Sequence, residues 1–400
     1  MFLQPLTRLK SSPSLSASTP APYVQSQRNS KRREARKRKA EEEAPDSRPL
    51  KRTLAEVLSP GTSIEVEINT SNFDAARGAH TGKRGTKKER GSTPDIRRPY
   101  TVANLLSLGF RHIKWDGSTP FPLIDGVGRI IGIPAGQPGS GYAAELDDAF
   151  EEMMQEGEGA GLGATSSEGA GARGWFPAFN CGVSMGMGNS HPVQLDPKHM
   201  KDVLERLVGS KSVRRMAMYQ NVAFSLWAPR VYEVYERTTN TMWEKMPGLQ
   251  NNFPGGVFGA AAFNFGGSVW TFKHRDFQNW PFGWCAITAL GKFDPTRSAQ
   301  LILWELKLVI DFPHASTILI PSAVITHSNT PVADGDVQTS FTQYTAGAIF
   351  RWVENGCLTE EKLEKSDPTC YRQMMRDKST AVSRRLELYS TVDELLCKID

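Results

Sequence analysis

The chain has few cysteines, and their spacing fits neither a zinc motif nor a disulfide framework. Five cysteines are scattered over 400 residues, and no two of them form a Cys-x-x-Cys pair. The common structural zinc motifs are therefore excluded, and an odd, dispersed set argues against a disulfide scaffold. Because free thiols are typical of proteins kept under reducing conditions, we expect a reducing compartment.

Long apolar runs are also missing from the sequence. No stretch reaches the ~18 consecutive apolar residues typical of a membrane-spanning helix. The first ten residues, MFLQPLTRLK, lack the apolar segment of a secretory signal peptide. A nucleotide-binding phosphate loop is disfavoured as well, because no Lys-Ser or Lys-Thr follows the glycines of GVSMGMG. The sequence therefore predicts neither a membrane protein nor a P-loop enzyme.

Positive charge is concentrated in the first quarter of the chain. Residues 1–100 contain 21 Lys and Arg against 11 Asp and Glu, whereas residues 101–400 contain 27 against 32. Residues 1–98 are rich in Ser, Pro, Lys and Arg and have few periodic apolar positions, so we predict a disordered basic arm. Its two basic clusters, residues 31–39 and 83–90, fit a nuclear localisation signal or a patch that binds nucleic-acid phosphates. A merely solubilising charge run is the alternative.

Residues 270–353 have the texture of a β-rich domain. Short apolar, β-branched and aromatic runs are separated by Gly, Pro, Asp and Asn, a pattern typical of short strands. We expect no helix within this stretch. Strands are predicted over residues 268–273, 284–290, 300–311, 316–321, 324–328 and 339–350.

A candidate metal site lies inside this stretch. His274 and Asp276 are two residues apart, so on a strand their side chains project to the same face. His327 ends a later apolar run and can supply a third ligand. Two imidazoles and one carboxylate on one face form the facial triad of non-haem Fe(II) oxygenases. His314 is the alternative third ligand, and edge histidines of a sandwich without metal are the alternative to the whole site.

Four segments around these residues carry a family resemblance: HRDFQNWPFGWCAITALGKFDPT, LILWELKLVIDFP, STILIPSAVITHSN and SFTQYTAGAIFRWV. They are similar to the Tet/JBP-type domain of the 2-oxoglutarate- and Fe(II)-dependent dioxygenases, in the fungal branch associated with DNA transposons. With two upstream segments of the same character, the resemblance covers roughly residues 100–360. It implies an α+β fold, in which bracing helices support a double-stranded β-helix (jelly-roll) core.

The resemblance also implies roles for particular residues. The Fe(II) ligands would be His274, Asp276 and His327. The carboxylate of 2-oxoglutarate is held in the family by an arginine two residues before a serine. Here Gln338 stands at that position, and Ser340 follows it. Arg351, in a nearby predicted strand, is the candidate replacement, with Arg297 as the alternative.

Two further positions depart from the family. The Gly-Gly expected before LILW is Ser298-Ala299 here, and the Pro-Gly expected before STILIP is His314-Ala315. Together with Gln338, these departures leave the binding of 2-oxoglutarate open.

The segments around the core complete the predicted organisation. The dioxygenase-like domain spans residues 99–355. Within it, residues 135–173 combine glycines with the acidic run ELDDAFEEMMQEGEG, which indicates a flexible insertion. Asp196 and Gly209 have the types that begin and end a helix, and a longer helix over 215–245 is interrupted by a proline. Residues 356–400 are predicted to form a helical C-terminal extension.

Two classes of function remain open at this level. The resemblance implies an Fe(II)- and 2-oxoglutarate-dependent dioxygenase that acts on a nucleobase, such as 5-methylcytosine in DNA, and the basic clusters of the arm indicate a nuclear location. The alternative is a catalytically impaired relative that keeps the fold as a nucleic-acid or protein binding module. The departure at Gln338 keeps this second class in play.

The charge asymmetry leads to a prediction about DNA binding. Deleting residues 31–39 and 83–90 is expected to weaken binding to all DNA sequences alike, because contacts to phosphates carry no base information. Fluorescence anisotropy at several salt concentrations measures this as a shallower slope of log affinity against log salt. DNA binding that survives the deletion at ~200 mM salt would show that the arm is not the electrostatic anchor.

Overall fold

Two larger β-sheets, one two-stranded sheet and a set of flanking helices make up the described part of the computed structural model. It describes residues 63–68, 70–73, 75–76, 78–83, 97–139, 141–163, 173–186 and 188–397. All of these residues belong to the compact unit Asp46–Asp400.

Fifteen strands lie in the described part of the chain. Nine form a large sheet in the order β1-β5-β6-β13-β10-β15-β9-β7-β8, four form a smaller sheet in the order β14-β11-β12-β4, and β2 pairs with β3. The bounds are β1 Ile64–Glu65, β2 Ala75–Ala76, β3 Thr81–Gly82, β4 Arg111–Ile113, β5 Leu123–Ile124, β6 Ile130–Gly136, β7 Ala178–Ser184, β8 Val193–Gln194, β9 Ala260–Asn264, β10 Cys285–Lys292, β11 Leu301–Leu303, β12 Leu308–Ile310, β13 Thr317–Ile320, β14 His327–Asn329 and β15 Val337–Tyr344.

From β10 onward the chain passes back and forth between the two sheets. Strands β10, β13 and β15 lie in the large sheet, whereas β11, β12 and β14 lie in the smaller one. The predicted strands 284–290 and 316–321 correspond to β10 and β13, and 300–311 divides into the hairpin of β11 and β12. The predicted strand 324–328 shifts to β14, and 268–273 contains only isolated bridges.

Ten α-helices surround the sheets among the described residues. They are α1 Val102–Ser107, α2 Tyr142–Gly159, α3 Lys201–Gly209, α4 Lys211–Trp227, α5 Pro229–Lys245, α6 Gly347–Glu354, α7 Glu360–Ser366, α8 Pro368–Asp377, α9 Ala381–Leu386 and α10 Val392–Leu396. The last four agree with the predicted C-terminal helices. No helix in the described ranges has both the length and the apolar character needed to cross a membrane.

Helix α4 packs against one face of the large sheet. Its buried Gln220 donates to the Thr288 hydroxyl of β10 at 2.8 Å and accepts from the Gln343 amide of β15 at 2.9 Å. Because side chains alternate along a strand, the neighbours of Gln343 at even positions, Thr342 and Tyr344, project to the opposite face. That opposite, inner face is the one available for a site.

The predicted strand 339–350 is wrong in its second half. Strand β15 ends at Tyr344, and Gly347 begins α6. The run GAIFRWV is apolar almost throughout, so its periodicity does not distinguish strand from helix. Packing decides the matter, since the Phe350 ring stacks on Trp280 with centroids 4.5 Å apart and meets Tyr235 edge-on at 4.8 Å.

The predicted flexible insertion over residues 135–173 is also wrong for most of its length. Residues 142–159 form the 18-residue helix α2, and residues 164–172 lie outside the described ranges. Apolar side chains recur every three or four positions along α2, which gives it one buried face despite its many carboxylates. The buried residues on this face include Tyr142, Leu146, Phe150 and Met153.

The folded part of the chain begins earlier than residue 99. Strand β1 pairs in parallel with β5, and Val66 and Phe73 are 3% and 7% exposed. The predicted disordered arm is therefore wrong for the described segments between residues 63 and 83, because their few apolar side chains pack on the domain. The basic cluster 31–39 and residues 84–90 lie outside the described part of the chain.

This early segment contacts the segment that carries His274 and Asp276. The Gly82 N–H donates to the Phe277 carbonyl at 2.7 Å. The buried His80 lies 2.7 Å from the Glu354 carboxylate, which also accepts from Arg385 of α9 at 2.9 Å. The segment thus links the candidate site to helices α6 and α9.

A truncation tests this boundary. A chain beginning at residue 99 is expected to lose about 3 kcal/mol or more of unfolding free energy relative to the full chain. The reason is that burying a side chain such as Val66 or Phe73 stabilises a fold by about 1.5–3 kcal/mol. Denaturant unfolding measures the difference, and a chain beginning at residue 63 is the matched control, expected to unfold like the full chain. Equal midpoints for all three chains would contradict the assignment.

Candidate metal centre

The two histidines face each other across a closely spaced backbone pair. The His274 N–H donates to the His327 carbonyl at 3.1 Å, and the His327 N–H donates to the His274 carbonyl at 2.9 Å. Residues that exchange both bonds lie directly opposite each other with their side chains on the same face. The two imidazole centroids are accordingly 4.3 Å apart.

The carboxylate of Asp276 completes the cluster. His274 Nε2 lies 3.9 Å from Asp276 Oδ1, and His327 Nε2 lies 3.8 Å from Asp276 Oδ2. The three donor atoms all fall within 4.8 Å of one another. Ligands bound to one ion at ~2.1 Å lie roughly 3–4 Å apart, so a small closing movement is enough to hold a metal. The structure thus brings together the three residues that the sequence singled out.

Backbone carbonyls fix the tautomer of each imidazole. His274 Nδ1 lies 2.6 Å from the Phe272 carbonyl, and His327 Nδ1 lies 3.1 Å from the Ile325 carbonyl. Because a carbonyl oxygen only accepts, both Nδ1 atoms must carry the proton. Each Nε2 then presents its lone pair towards Asp276. This is the carbonyl-backed arrangement that commonly orients metal-binding histidines.

The electrostatics favour the ligand forms of these groups. Burial and the neighbouring His327 lower the pKa of His274 to about 3, although Asp276 acts in the opposite direction. Burial raises the pKa of Asp276, but the Arg173 charge and the two imidazoles outweigh it, and the net pKa lies below the usual value. At neutral pH the site therefore presents a neutral His274 imidazole and an ionised carboxylate.

Arg173 is a site residue that the sequence alone did not reveal. Its Nη1 lies 3.3 Å from Asp276 Oδ1, and its carbonyl accepts from the Phe272 N–H at 2.6 Å. A bridge between Gly174 and Thr271 continues this pairing. Arg173 lies at the end of the glycine-rich segment that the sequence predicts to be a flexible insertion. The useful signal was its place as an arginine between that segment and the apolar run WFPAF.

Gln338 and Ser340 lie on the inner face of β15. Both are buried, at 5% and 7% exposure, and they alternate with residues whose side chains point towards α4. The Ser340 hydroxyl accepts from the Asn264 amide at 2.8 Å. Among the described residues, Gln338 Oε1 is buried without a hydrogen-bond partner. The polar row along this face thus ends in an unsatisfied amide.

Tyr344 continues the polar row on the inner face of β15. It shares this face with Ser340, since the two are four residues apart on one strand. Its hydroxyl donates to Asn180 Oδ1 of β7 at 3.1 Å, and burial raises its pKa. The inner face of β15 therefore presents amide and hydroxyl groups along its length.

The remaining candidates lie elsewhere. Arg351 lies on helix α6, whereas the sequence predicted a strand there. Its Nη1 lies 3.9 Å from the Glu360 carboxylate. Arg297 binds Asp336 at 2.7 Å. His314, the alternative third ligand, accepts from the Gly291 N–H at 3.0 Å and lies 3.4 Å from an aspartate of α2. The structure thus excludes His314 from the cluster, and it contradicts the predicted position of Arg351.

Both alanines that stand where the family has glycine adopt a left-handed backbone. Ala299 has φ 53° and Ala315 has φ 62°. A side chain in this region costs roughly 1–2 kcal/mol. The turns before β11 and β13 are therefore kept in spite of the substitutions.

Among the solved structures that are similar to the chain are the following two. One is NgTET1 in complex with 5mC DNA, with 11% identity and a TM-score of 0.35, covering 61% of this chain and 89% of that one. The other is an oxidoreductase of the 2OG-Fe(II) oxygenase family from Burkholderia pseudomallei, with 12% identity and a TM-score of 0.28, covering 52% and 92%. No protein-family model and no curated protein matches the chain. At TM-scores this low, the chain's own geometry has to carry any functional argument.

Substitution of the cluster tests it as a metal centre. Asp276→Ala and His327→Ala are each expected to weaken Co(II) binding at least 100-fold, because losing a ligand costs several times the ~1.4 kcal/mol that corresponds to one order of magnitude. Isothermal calorimetry measures the affinity. His314→Ala is the matched control and should bind Co(II) like the wild type. Equal loss in the control, or no loss in the two variants, would rule out the site.

Proposed function

We propose that this chain is a Tet/JBP-like dioxygenase, dependent on Fe(II) and 2-oxoglutarate, with a jelly-roll core. One observation carries the proposal: His274, Asp276 and His327 converge with both imidazole Nε2 atoms turned towards the carboxylate. Two imidazoles and one carboxylate on one side of an ion form the ligand set of non-haem iron oxygenases. The sequence segments support the fungal, transposon-associated branch as the proposed subgroup.

The residues present fit a divalent iron. The carbonyls of Phe272 and Ile325 hold the imidazoles in the required tautomer, and Asp276 supplies the negative charge. When bound, Fe(II) supplies the redox chemistry that couples decarboxylation of 2-oxoglutarate to oxidation of a C–H bond. The protein's part is to hold three ligands on one side and to leave the other side to the co-substrates.

The residues fit 2-oxoglutarate less completely. Arg173 places a guanidinium beside Asp276, where it can pair with an acidic group near the metal. The inner face offers the Ser340 hydroxyl and the Gln338 amide, both neutral. Losing a buried charge partner costs about 3–5 kcal/mol, and an amide hydrogen bond returns about 1 kcal/mol. We therefore expect affinity roughly a hundredfold below that of a site with an arginine at this position.

A nucleobase in DNA, such as 5-methylcytosine, is the proposed substrate. Aromatic and basic side chains lie beside the triad: Trp175 packs edge-on to Phe272 at 4.9 Å, and the Arg97 guanidinium lies 5.6 Å from both rings. Aromatic and guanidinium planes of this kind stack on bases that have left the helix. The basic clusters of the arm favour a nuclear location and non-specific phosphate binding.

The second candidate is a catalytically impaired relative that binds nucleic acid or protein. The buried, unpartnered Oε1 of Gln338 favours it, because the position lacks the charge that holds a dicarboxylate. The two candidates differ in one measurable step, the decarboxylation of 2-oxoglutarate. Both keep the metal ligands.

Succinate formation separates them. The full chain, loaded with Fe(II) and supplied with oxygen and methylated DNA, is expected to convert 2-oxoglutarate to succinate, and Asp276→Ala is expected to abolish this. Chromatography of the digested DNA shows whether the 5-methylcytosine is oxidised. Metal binding without succinate, in the wild type and in Gln338→Arg alike, would establish the binding-module alternative.

Gln338→Arg makes a sharper prediction about the co-substrate. Restoring a cation on the inner face is expected to tighten 2-oxoglutarate binding by one to two orders of magnitude, following the roughly 3 kcal/mol argued above. Calorimetric titration with Co(II) in the site gives both affinities. Gln338→Lys separates charge from the bidentate geometry that only arginine offers. Tight binding by the wild type itself would show that another group, such as Arg173, already serves as the anchor.

A further inference from the structure

We propose that Glu305 is a positioning residue for the metal centre, and that it holds the two ligand-bearing segments in register. The inference depends on the metal site proposed above but concerns a residue outside it. Glu305 lies in the turn between β11 and β12 of the smaller sheet. It is 28% exposed as a side chain and neighbours none of the three ligands in sequence.

The Glu305 carboxylate accepts three hydrogen bonds from the two segments. Thr326, which precedes the ligand His327, donates its N–H at 2.6 Å and its hydroxyl at 2.5 Å. Arg275, which stands between the ligands His274 and Asp276, donates its Nη2–H at 2.6 Å. One carboxylate therefore joins both ligand-bearing segments to the β11–β12 turn.

A fourth bond closes the network. Arg275 Nε donates to the Thr326 hydroxyl at 2.9 Å, so that hydroxyl accepts from Arg275 while it donates to Glu305. Arg275 and Thr326 are the residues next to the histidine pair, one on each segment. Because successive side chains alternate between faces, they project away from the imidazoles. These hydrogen bonds therefore hold the two paired segments together on the face opposite to the triad.

Few backbone hydrogen bonds join the two ligand-bearing segments to each other, although β14 also pairs with β11. His274 and His327 form an isolated bridge, and β14 is only three residues long. Sliding one segment by a single residue would turn one imidazole to the other face and destroy the site. The contacts from Glu305 oppose such a slip, because they pair one particular residue of each segment. Glu305 itself is no ligand, since both its oxygens are engaged on the reverse side.

Co(II) binding to the full chain tests the proposal. Glu305→Ala is expected to weaken binding 10- to 100-fold, the usual effect of losing a group that orients metal ligands. It should also change the visible absorption of the bound Co(II), because the ligands are no longer held in one arrangement. Glu156→Ala is the matched control: Glu156 is a similarly buried carboxylate paired with an arginine, Arg206, on helices α2 and α3.

A second pair of variants guards against simple loss of folding. Thr326→Val keeps the shape of the side chain but removes its hydroxyl, whereas Thr326→Ser retains the hydroxyl. The valine variant should weaken Co(II) binding and the serine variant should recover it, with similar unfolding midpoints for the two metal-free proteins. Recovery with serine distinguishes positioning of the ligands from a general effect on stability.

The outcomes separate the two proposals. If the wild type binds no Co(II), the metal centre is wrong and the role of Glu305 falls with it. If the wild type binds Co(II), and Glu305→Ala and Thr326→Val bind it with unchanged affinity and absorption, the metal centre stands and the positioning role is overturned.

Discussion

The structure depends on one rung of antiparallel backbone pairing, between His274 and His327. Two N–H···O bonds place residues that are far apart in sequence directly opposite each other, with both imidazoles on one face. Everything else that makes a metal site follows from this rung. Asp276, two residues after His274, projects to the same side. The carbonyls of Phe272 and Ile325, each two residues before a histidine, fix the tautomers of both imidazoles. Because this pair is an isolated bridge, the contacts around it are needed to hold the two segments in register.

Support comes from the far side of the large sheet as well. Gln220 of α4 bonds to both Thr288 and Gln343, so β10 and β15 are tied to the same helix turn through buried amides. Leaving such a buried network half-satisfied would be costly, so the register of the two strands is strongly specified. Once Gln343 faces the helix, Ser340 and Tyr344 must face the interior. The polar contacts on the α4 side therefore determine which side chains of β15 point to the inner face.

The sequence predicted the candidate metal ligands more accurately than the bounds of the helices and strands. The spacing of His274 and Asp276 predicts that they share a face, because a period of two is local information. The place of His327 at the end of a later apolar run identified it as the third residue, although its pairing with His274 is a tertiary contact. What the sequence missed depends on tertiary packing. The run containing Arg351 is apolar almost throughout, so its periodicity does not show that it forms a helix packed against Trp280. The acidic segment of α2 hid a regular apolar stripe. Arg173 reached the site through a bridge to Thr271 that no local pattern announces.

The charges at the site indicate which part of the proposed co-substrate would be affected by a glutamine, in place of an arginine, at position 338. Asp276 and Arg173 cancel each other, so a divalent ion leaves the centre with two positive charges. In the proposed enzyme, a dicarboxylate such as 2-oxoglutarate would neutralise that total even without an arginine at position 338. The distribution of charge would differ: the Arg173 guanidinium lies at the metal end, whereas the inner face of β15 offers neutral groups, those of Gln338, Ser340 and Tyr344. Because charge-assisted bonds are roughly twice as strong as neutral ones, the loss would fall on the far carboxylate. A weakened co-substrate anchor and a complete triad would then be compatible features of one site.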